Sequence, residues 1–290
     1  MAKGPQTAQK KNQVTAPKGK EVADADLLKM MGGDAGKGVS TDISDNIVPL
    51  VYILQSNSPA LDRQKKDIYL GKDAKAGDIW LRGTKKFAGA DPENEEPGMI
   101  GVPCYHSKCW IEWRPDRGGF VARHKERPKD AVEKLEKKEG SDTERMVWRR
   151  PNGNSVQETR EYVFMITEFG DEKLAKPKPF VIPMTSTNHT PGREWMSMIN
   201  DQIVPGTDKP APIYAYKYRV LTKHRTDGDN AWYVYTIVGA GEEDGATVPL
   251  LVDDLELYKE CRRINERFSS GEMKAEAPEP EGTEDGQLDV

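Results

Sequence analysis

The sequence predicts an α+β fold: antiparallel hairpins forming a barrel or a strongly curved sheet, about three peripheral helices, and disordered ends. Three observations predict it. Apolar and polar residues alternate through much of 78–124, 146–187 and 214–237. Turn sequences punctuate these stretches: "RPDRGG", "PNGN" and "TDGDN". Apolar residues at helical spacing are confined to short windows.

The elements follow in order. Residues 1–24 are rich in Lys, Gln and Ala without periodicity and are expected to be disordered, with a short helix over 25–31. "GGDAGKG" lacks a glycine five residues before Gly36, and Gly38 stands where a phosphate loop needs Ser or Thr, so no nucleotide site is expected there. The apolar run Ile47–Leu54 contains Pro49, which suits an edge segment or a first helical turn. "DIWLRG" (78–83) is a short strand. "GMIGVPCYHSKCWIEWRP" (98–115) is a strand long enough to bend or bulge, and "FVARH" (120–124) returns from it. "RPKDAVEKLEKKEG" (127–140) carries Lys and Glu four apart and predicts a surface helix. Residues 146–167 form a second hairpin about Asn152-Gly153, and 178–187 another strand. Helices are expected over 190–204, with Trp195, Met198, Ile199 and Gln202 on one stripe, and over 253–271, with Leu257, Tyr258, Cys261, Ile264 and Phe268 on one face. The third hairpin is 214–237. The domain layout is therefore 1–24 disordered and basic, 25–270 a single α+β core, and 271–290 a disordered acidic tail.

Charge separates along the chain. Residues 1–20 carry five Lys and no acid, whereas 271–290 carry seven acids against Lys274. The total is −5, so the body is close to balanced. Such ends read as solvated interaction segments or as solubilising tails. Three cysteines in 290 residues do not make a disulfide framework, and no apolar run reaches the ~20 residues of a membrane span. The N-terminus has no apolar signal region. A soluble protein of the cytoplasm is expected.

Candidate chemistry is sparse. Cys104, His106 and Cys109, with His124 across a hairpin, are zinc-ligand types, but the paired spacing of a zinc ribbon is missing. Ser186 and His189 have no nucleophile elbow around them. Asp227 and Asp229 are accounted for by turn chemistry. No cofactor, no metal and no catalytic residue are expected. The hairpin 214–237 holds Tyr214, Tyr216, Tyr218, Trp232, Tyr233 and Tyr235 with Lys217, Arg219, Lys223 and Arg225. Single-strand binders need cations along the backbone and aromatic faces for the bases. On one strand, however, the tyrosines fall on one face and the cations on the other. Either the tyrosines face the core and the cations face water, or the cationic face lines a groove to which Trp232, Tyr233 and Tyr235 are added. Trp110, Trp113 and Phe120 with Arg114 and Arg123, and Trp148 with Arg149 and Arg150, repeat the combination near two other turns. Together these would form one basic, aromatic-lined cleft.

The layout from about residue 40 to 290 resembles phage-encoded single-stranded DNA-binding proteins. The segments that carry the likeness are "DISDNIVPLVYILQSNSP", "FVIPMTST" before "REWMSMIN", and "APIYAYKYRVLTKHR" with "AWYVYTI". The resemblance implies an OB-like β-barrel with added helices, an acidic C-terminal tail that recruits replication or recombination proteins, and no enzymatic activity. The tail here ends "QLDV" rather than in an aromatic residue. The expected partner is single-stranded DNA, in the host cytoplasm; a homo-oligomer is compatible with the sequence. The expected contacts are Lys217, Arg219, Lys223, Arg225, Trp232, Tyr233 and Tyr235, then Trp110, Trp113, Arg114 and Arg123. The alternatives are a virion-associated structural protein and a metal-dependent nuclease.

Overall fold

The computed structural model describes residues 46–115, 119–137, 144–228, 230–243 and 245–278. The segment 1–24, the helix expected at 25–31 and the tail beyond Pro278 lie outside them. The strands are β1 (Ile47–Val48), β2 (Val51–Ile53), β3 (Ile79–Leu81), β4 (Phe87–Ala88), β5 (Met99–Trp113), β6 (Phe120–His124), β7 (Val132–Lys137), β8 (Glu144–Arg149), β9 (Ser155–Phe169), β10 (Glu172–Thr185), β11 (Tyr216–Asp227), β12 (Asn230–Gly239), β13 (Gly241–Glu243), β14 (Ala246–Val248), β15 (Leu250–Leu251) and β16 (Lys274–Ala275). The helices are α1 (His189–Asn200) and α2 (Leu255–Ser270). The fold is mixed α+β with antiparallel sheets, as expected.

Nine strands form the main sheet. Its long strands β5 and β9 pair along their whole length, with register shifts between Ile100 and Gly101 and between Pro103 and Tyr105. Around their first and last residues respectively, β11 joins β5 and β10 joins β9, giving the path β12-β11-β5-β9-β10. At the other end β6 pairs the last residues of β5, and β8 and β7 extend from the first residues of β9. The sheet is thus a curved body continued into a projecting arm.

Alternation on β9 sorts the core into two layers. Tyr162, Phe164 and Ile166 face inward with Trp195 and Ile199 of α1, Tyr218, Val220, Tyr235 and the β2-β3-β4 sheet. Val163 and Met165 face outward and are covered by Leu257, Cys261 and Ile264 of α2, with Met273 and Ala275. α2 starts at an Asp254 side-chain cap and ends at Gly271, whose φ of 79° suits glycine.

Among the described residues the body does not close into a barrel, and no strand ladder joins β10 to β12. β2 lies in the gap, joined to β10 by Val181 N–H donating to Pro49 (2.8 Å) and by a parallel Leu50–Val181 bridge. On the β12 side the connection is made by side chains. The Gln55 amide accepts from Tyr233 N–H (2.9 Å) and donates to Tyr233 C=O (3.0 Å), and Asn188 Oδ1 accepts from Tyr235 N–H (2.8 Å). Pro49 explains why this run stays short and marginal rather than completing the wall.

Two expectations are corrected. The predicted helix over 127–140 is instead the strand β7, paired antiparallel to β8 from Val132–Arg149 to Lys137–Glu144. Only Val132 and Leu135 are apolar there, so a helix would have no stripe to bury. Strand pairing offers ladder hydrogen bonds and a two-pronged Arg149–Glu136 ion pair at 2.7 and 2.9 Å. The core also continues past residue 270, because β16 pairs parallel with β1 and buries Ala275.

His106 sits at the edge of the inner layer, its ring 4.7 Å from Tyr162, with a buried Nε2 that has no partner. Burial, reinforced by the Arg160 charge, lowers its pKa to about 4. The unfolded chain, with an ordinary value near 6.5, binds the extra proton first. Stability is therefore expected to fall as pH drops from about 6.5 to about 4, by about 1–2 kcal/mol between neutral pH and about pH 5 once solvent screening is allowed for. Denaturant melts of wild type and His106→Phe at those two pH values check this. The variant should lose that share of the slope, and an unchanged slope would refute it.

Candidate nucleic-acid interface

The arm is held by a buried carboxylate. Glu112, on β5, is 1% exposed. It accepts from Arg150 Nη1 at 2.9 and 3.1 Å, from the Asn154 amide, and from His124 Nε2 at 2.7 Å. Burial acts to raise its pKa. The bonds from Asn154, His124 and Arg150 together outweigh burial and hold the carboxyl below its usual range. Arg150 also grips Asp130 at 2.9 Å, so the turn after β8, the end of β5, β6 and the segment before β7 meet at one point. The turn itself is the predicted one: Gly153 takes φ 87° and its N–H donates to Arg150 C=O.

This anchor places an aromatic and cationic cluster on the inner side of the arm. The Arg127 guanidinium lies 3.7 Å from the centre of the Trp148 ring and 5.8 Å from that of Trp110. The two indoles meet edge to face at 6.2 Å, and Lys108 Nζ lies 5.9 Å from Trp110. Lys108 also pairs with Glu158 at 2.8 Å. Arg127 is exposed and has no carboxylate partner among the described residues. Trp113, edge-on to Phe120 at 6.4 Å, and the exposed Arg114 stand at the tip. Arg127, Trp148 and Lys108 were absent from the expected contacts. Register brings them together, and it depends on a β7–β8 pairing that the helix assignment hid.

The hairpin β11–β12 divides in two. Its first half belongs to the body. Tyr218, Val220 and Thr222 are buried, Lys217 pairs with Asp253 at 3.3 Å, and Arg219 is half-buried. The tip is different. Lys223, His224 and Arg225 are exposed, Arg225 lies opposite the half-buried Trp232, and His224 lies opposite Tyr233 with ring centres 5.0 Å apart. Tyr233 also fills the space a side chain at Gly77 would need: a Cβ there would lie 2.6 Å from its ring.

Two expected contacts are structural. Tyr235 is 3% exposed and its hydroxyl donates to Val51 C=O at 3.2 Å, so it cannot present a face to a base. Arg123 is turned to the outer side, where it pairs with Glu161 (2.8 Å) and donates to Ala275 and Glu276 carbonyls (3.0 Å each). It clamps the chain where the acidic segment begins; Arg82 adds a bond to Ala277 C=O at 3.1 Å. Nor do the three hairpins converge. β11 is antiparallel to β5 with Tyr218 opposite Gly101, so its tip runs away from the arm.

Cys104, His106 and Cys109 do not share a site. Cys104 faces Cys261 of α2, His106 faces Tyr162, and Cys109 lies beside Glu161, its thiol pushed up to about 12 by burial. Among the described residues no group of three His, Cys, Asp or Glu side chains is placed to hold a metal. Nor is any helix among them long and apolar enough to cross a membrane.

Residues 15–274 match the model of a family described as Pam3 phage gp34-like protein. No curated protein and no solved structure matches the chain.

Proposed function

The chain belongs to the Pam3 phage gp34-like family, and from that premise we propose that it is a single-stranded DNA-binding protein with little sequence preference, acting in phage DNA replication or recombination. The observation that carries the reading is the arm cluster, in which a guanidinium with no carboxylate partner among the described residues lies over an indole. Indole and guanidinium planes both stack on bases, and the charge draws in the phosphates.

The connectivity supports it. β5, β9 and β10 form a meander, α1 follows, and the hairpin β11–β12 returns beside β5. An OB-like barrel shares this strand order, although among the described residues no ladder joins β10 to β12 to close one here. In that architecture the loops after the first and fourth strands grip oligonucleotides. The corresponding segments here are the arm, 114–154, and the β11–β12 tip with Lys223, Arg225 and Trp232. The outer face of β5, β9 and β10 is covered by α2. The DNA strand is therefore held by these two loops rather than across that face.

The test is fluorescence anisotropy of labelled oligo-dT and of duplex at two salt concentrations. Wild type should prefer the single strand and weaken as salt rises. Arg127→Ala with Trp148→Ala should weaken binding at least tenfold, in line with ~1–3 kcal/mol per stacked group, without a change in the far-ultraviolet spectrum. Lys223→Ala with Arg225→Ala should reduce the salt dependence. No binding at low salt, or full binding by both variants, refutes the proposal. A tail deletion that probes competition with DNA has to start after Pro278, since Met273 and Ala275 belong to the core.

A further inference from the structure

The strand β7 ends the main sheet, and five of its six residues are exposed. Its outer edge is therefore a row of backbone donors and acceptors that no described strand covers. Such edges recruit another strand unless charge, proline or a bulge blocks them. The sequence Val132-Glu133-Lys134-Leu135-Glu136-Lys137 contains no proline, and its pairing with β8 runs without a bulge. Its charges alternate in sign. A blocked edge presents repulsion in every register, so the question is which registers this one permits.

We infer that β7 pairs with β7 of a second copy of this chain, antiparallel, with Leu135 opposite Leu135 on the two-fold axis. Geometry restricts the choices. In an antiparallel ladder directly opposed residues must both point their backbone groups at the partner, or both away from it. A self-pairing must therefore be centred on a residue, not between two. Centred on Lys134, it sets Lys134 against itself. Centred on Glu133 or Glu136, it sets a glutamate against itself. Centred on Leu135, it sets Lys134 against Glu136, which also holds Arg149 of its own chain, and Glu133 against Lys137, each twice, and no like charges meet within 133–137. Opposite charges across a ladder stabilise it and like charges oppose it.

The side chains agree with that register. Leu135 lies opposite Met146 on β8, and both are exposed, at 58% and 56%. Cross-strand partners share a face, so the dimer sets Met146 and Leu135 of one copy in line with Leu135 and Met146 of the other. A patch that is open to water in the single chain becomes a continuous apolar strip across the joint. The two main sheets merge into one, and the arm clusters of the two copies fall on the same side of it. The inference rests on the edge and its sequence and not on the DNA-binding reading.

Sedimentation equilibrium of the full chain tests it. Wild type should form dimers that dissociate on dilution. Glu133→Lys places lysine against Lys137 twice and should weaken the dimer about tenfold or more. Adding Lys137→Glu restores opposite charges in the Leu135-centred register and should restore the dimer. Both side chains are exposed, but Lys137 faces Glu144 on β8 of its own chain, so circular dichroism and a thermal melt of each variant check that the β7–β8 pair is kept, and rescue is read only from variants that keep it. A wild-type chain that stays monomeric at high concentration overturns the inference and leaves the edge for a different protein. So does a dimer indifferent to Glu133→Lys, or one that the double variant fails to rescue.

Discussion

Replacing Glu112 with alanine is expected to destabilise the protein by about 3–5 kcal/mol, the range for removing one partner of a buried ion pair. The magnitude follows from what remains. Arg150 keeps only Asp130, and the buried Asn154 and half-buried His124 lose their acceptor. An apolar replacement cannot satisfy three donors at once. Glu112→Gln keeps an acceptor but loses the charge, so its cost should be smaller. The same pair of variants reports on pH. The Glu112 carboxyl is held below its ordinary value in the folded state. Its contribution is thus complete above the ordinary glutamate range, near pH 4–5, and is lost as pH falls through the lower folded value. Urea melts at neutral and acid pH should show that Glu112→Gln removes this part of the acid sensitivity. A loss below about 1 kcal/mol in Glu112→Ala at neutral pH would mean that the carboxylate is not the anchor of the arm.

Trp195→Ala is expected to cost a similar 3–5 kcal/mol, by a different mechanism. The indole has no exposed surface, stacks on Tyr162 at 4.4 Å, and meets the edges of Phe164 and Tyr218 at 5.6 and 6.0 Å. Truncation leaves a cavity between α1 and the sheet that these rings cannot fill without breaking their own packing. Trp195 Nε1 is buried with no hydrogen-bond partner. Trp195→Phe removes that unsatisfied group along with part of the ring, so it should cost far less than alanine. A calorimetric series of the two variants separates the effects. If phenylalanine and alanine cost the same, the stack with Tyr162 is not what holds α1.

The sequence made the hairpins, both long helices and the α+β class legible, because periodicity and turn chemistry are local. Where it misled, a distant neighbour decided. "VEKLEK" has helical charge spacing, yet β8 was available to pair with it, and i,i+4 pairs of a few tenths of a kcal/mol do not compete with a ladder. Of the expected contacts, Lys223, Arg225 and Trp232 gather at one tip and Trp110, Trp113 and Arg114 on the arm. Tyr235 and Arg123 went to structural work because β2 and the C-terminal segment fold back onto them from 184 and 152 residues away. No window of sequence contains that information. Arg127 over Trp148 was visible only as two residue types near two turns, and register made them neighbours.

The Gln55 and Asn188 contacts to β12 have a consequence for how substitutions are tolerated. A strand ladder is written in the backbone, which every residue but proline supplies, so mutations along it are judged on packing alone. The seam along β12 is written in side chains, Gln55, Asn188 and the Tyr235 hydroxyl that reaches Val51 of β2, and only a primary amide can both donate to and accept from Tyr233 as Gln55 does. Drift elsewhere on the wall leaves its shape intact, whereas at position 55 even a change to glutamate removes the donor. The body is thus a structure whose continuity is generic along most of its circumference and specific to amino-acid identity along one seam.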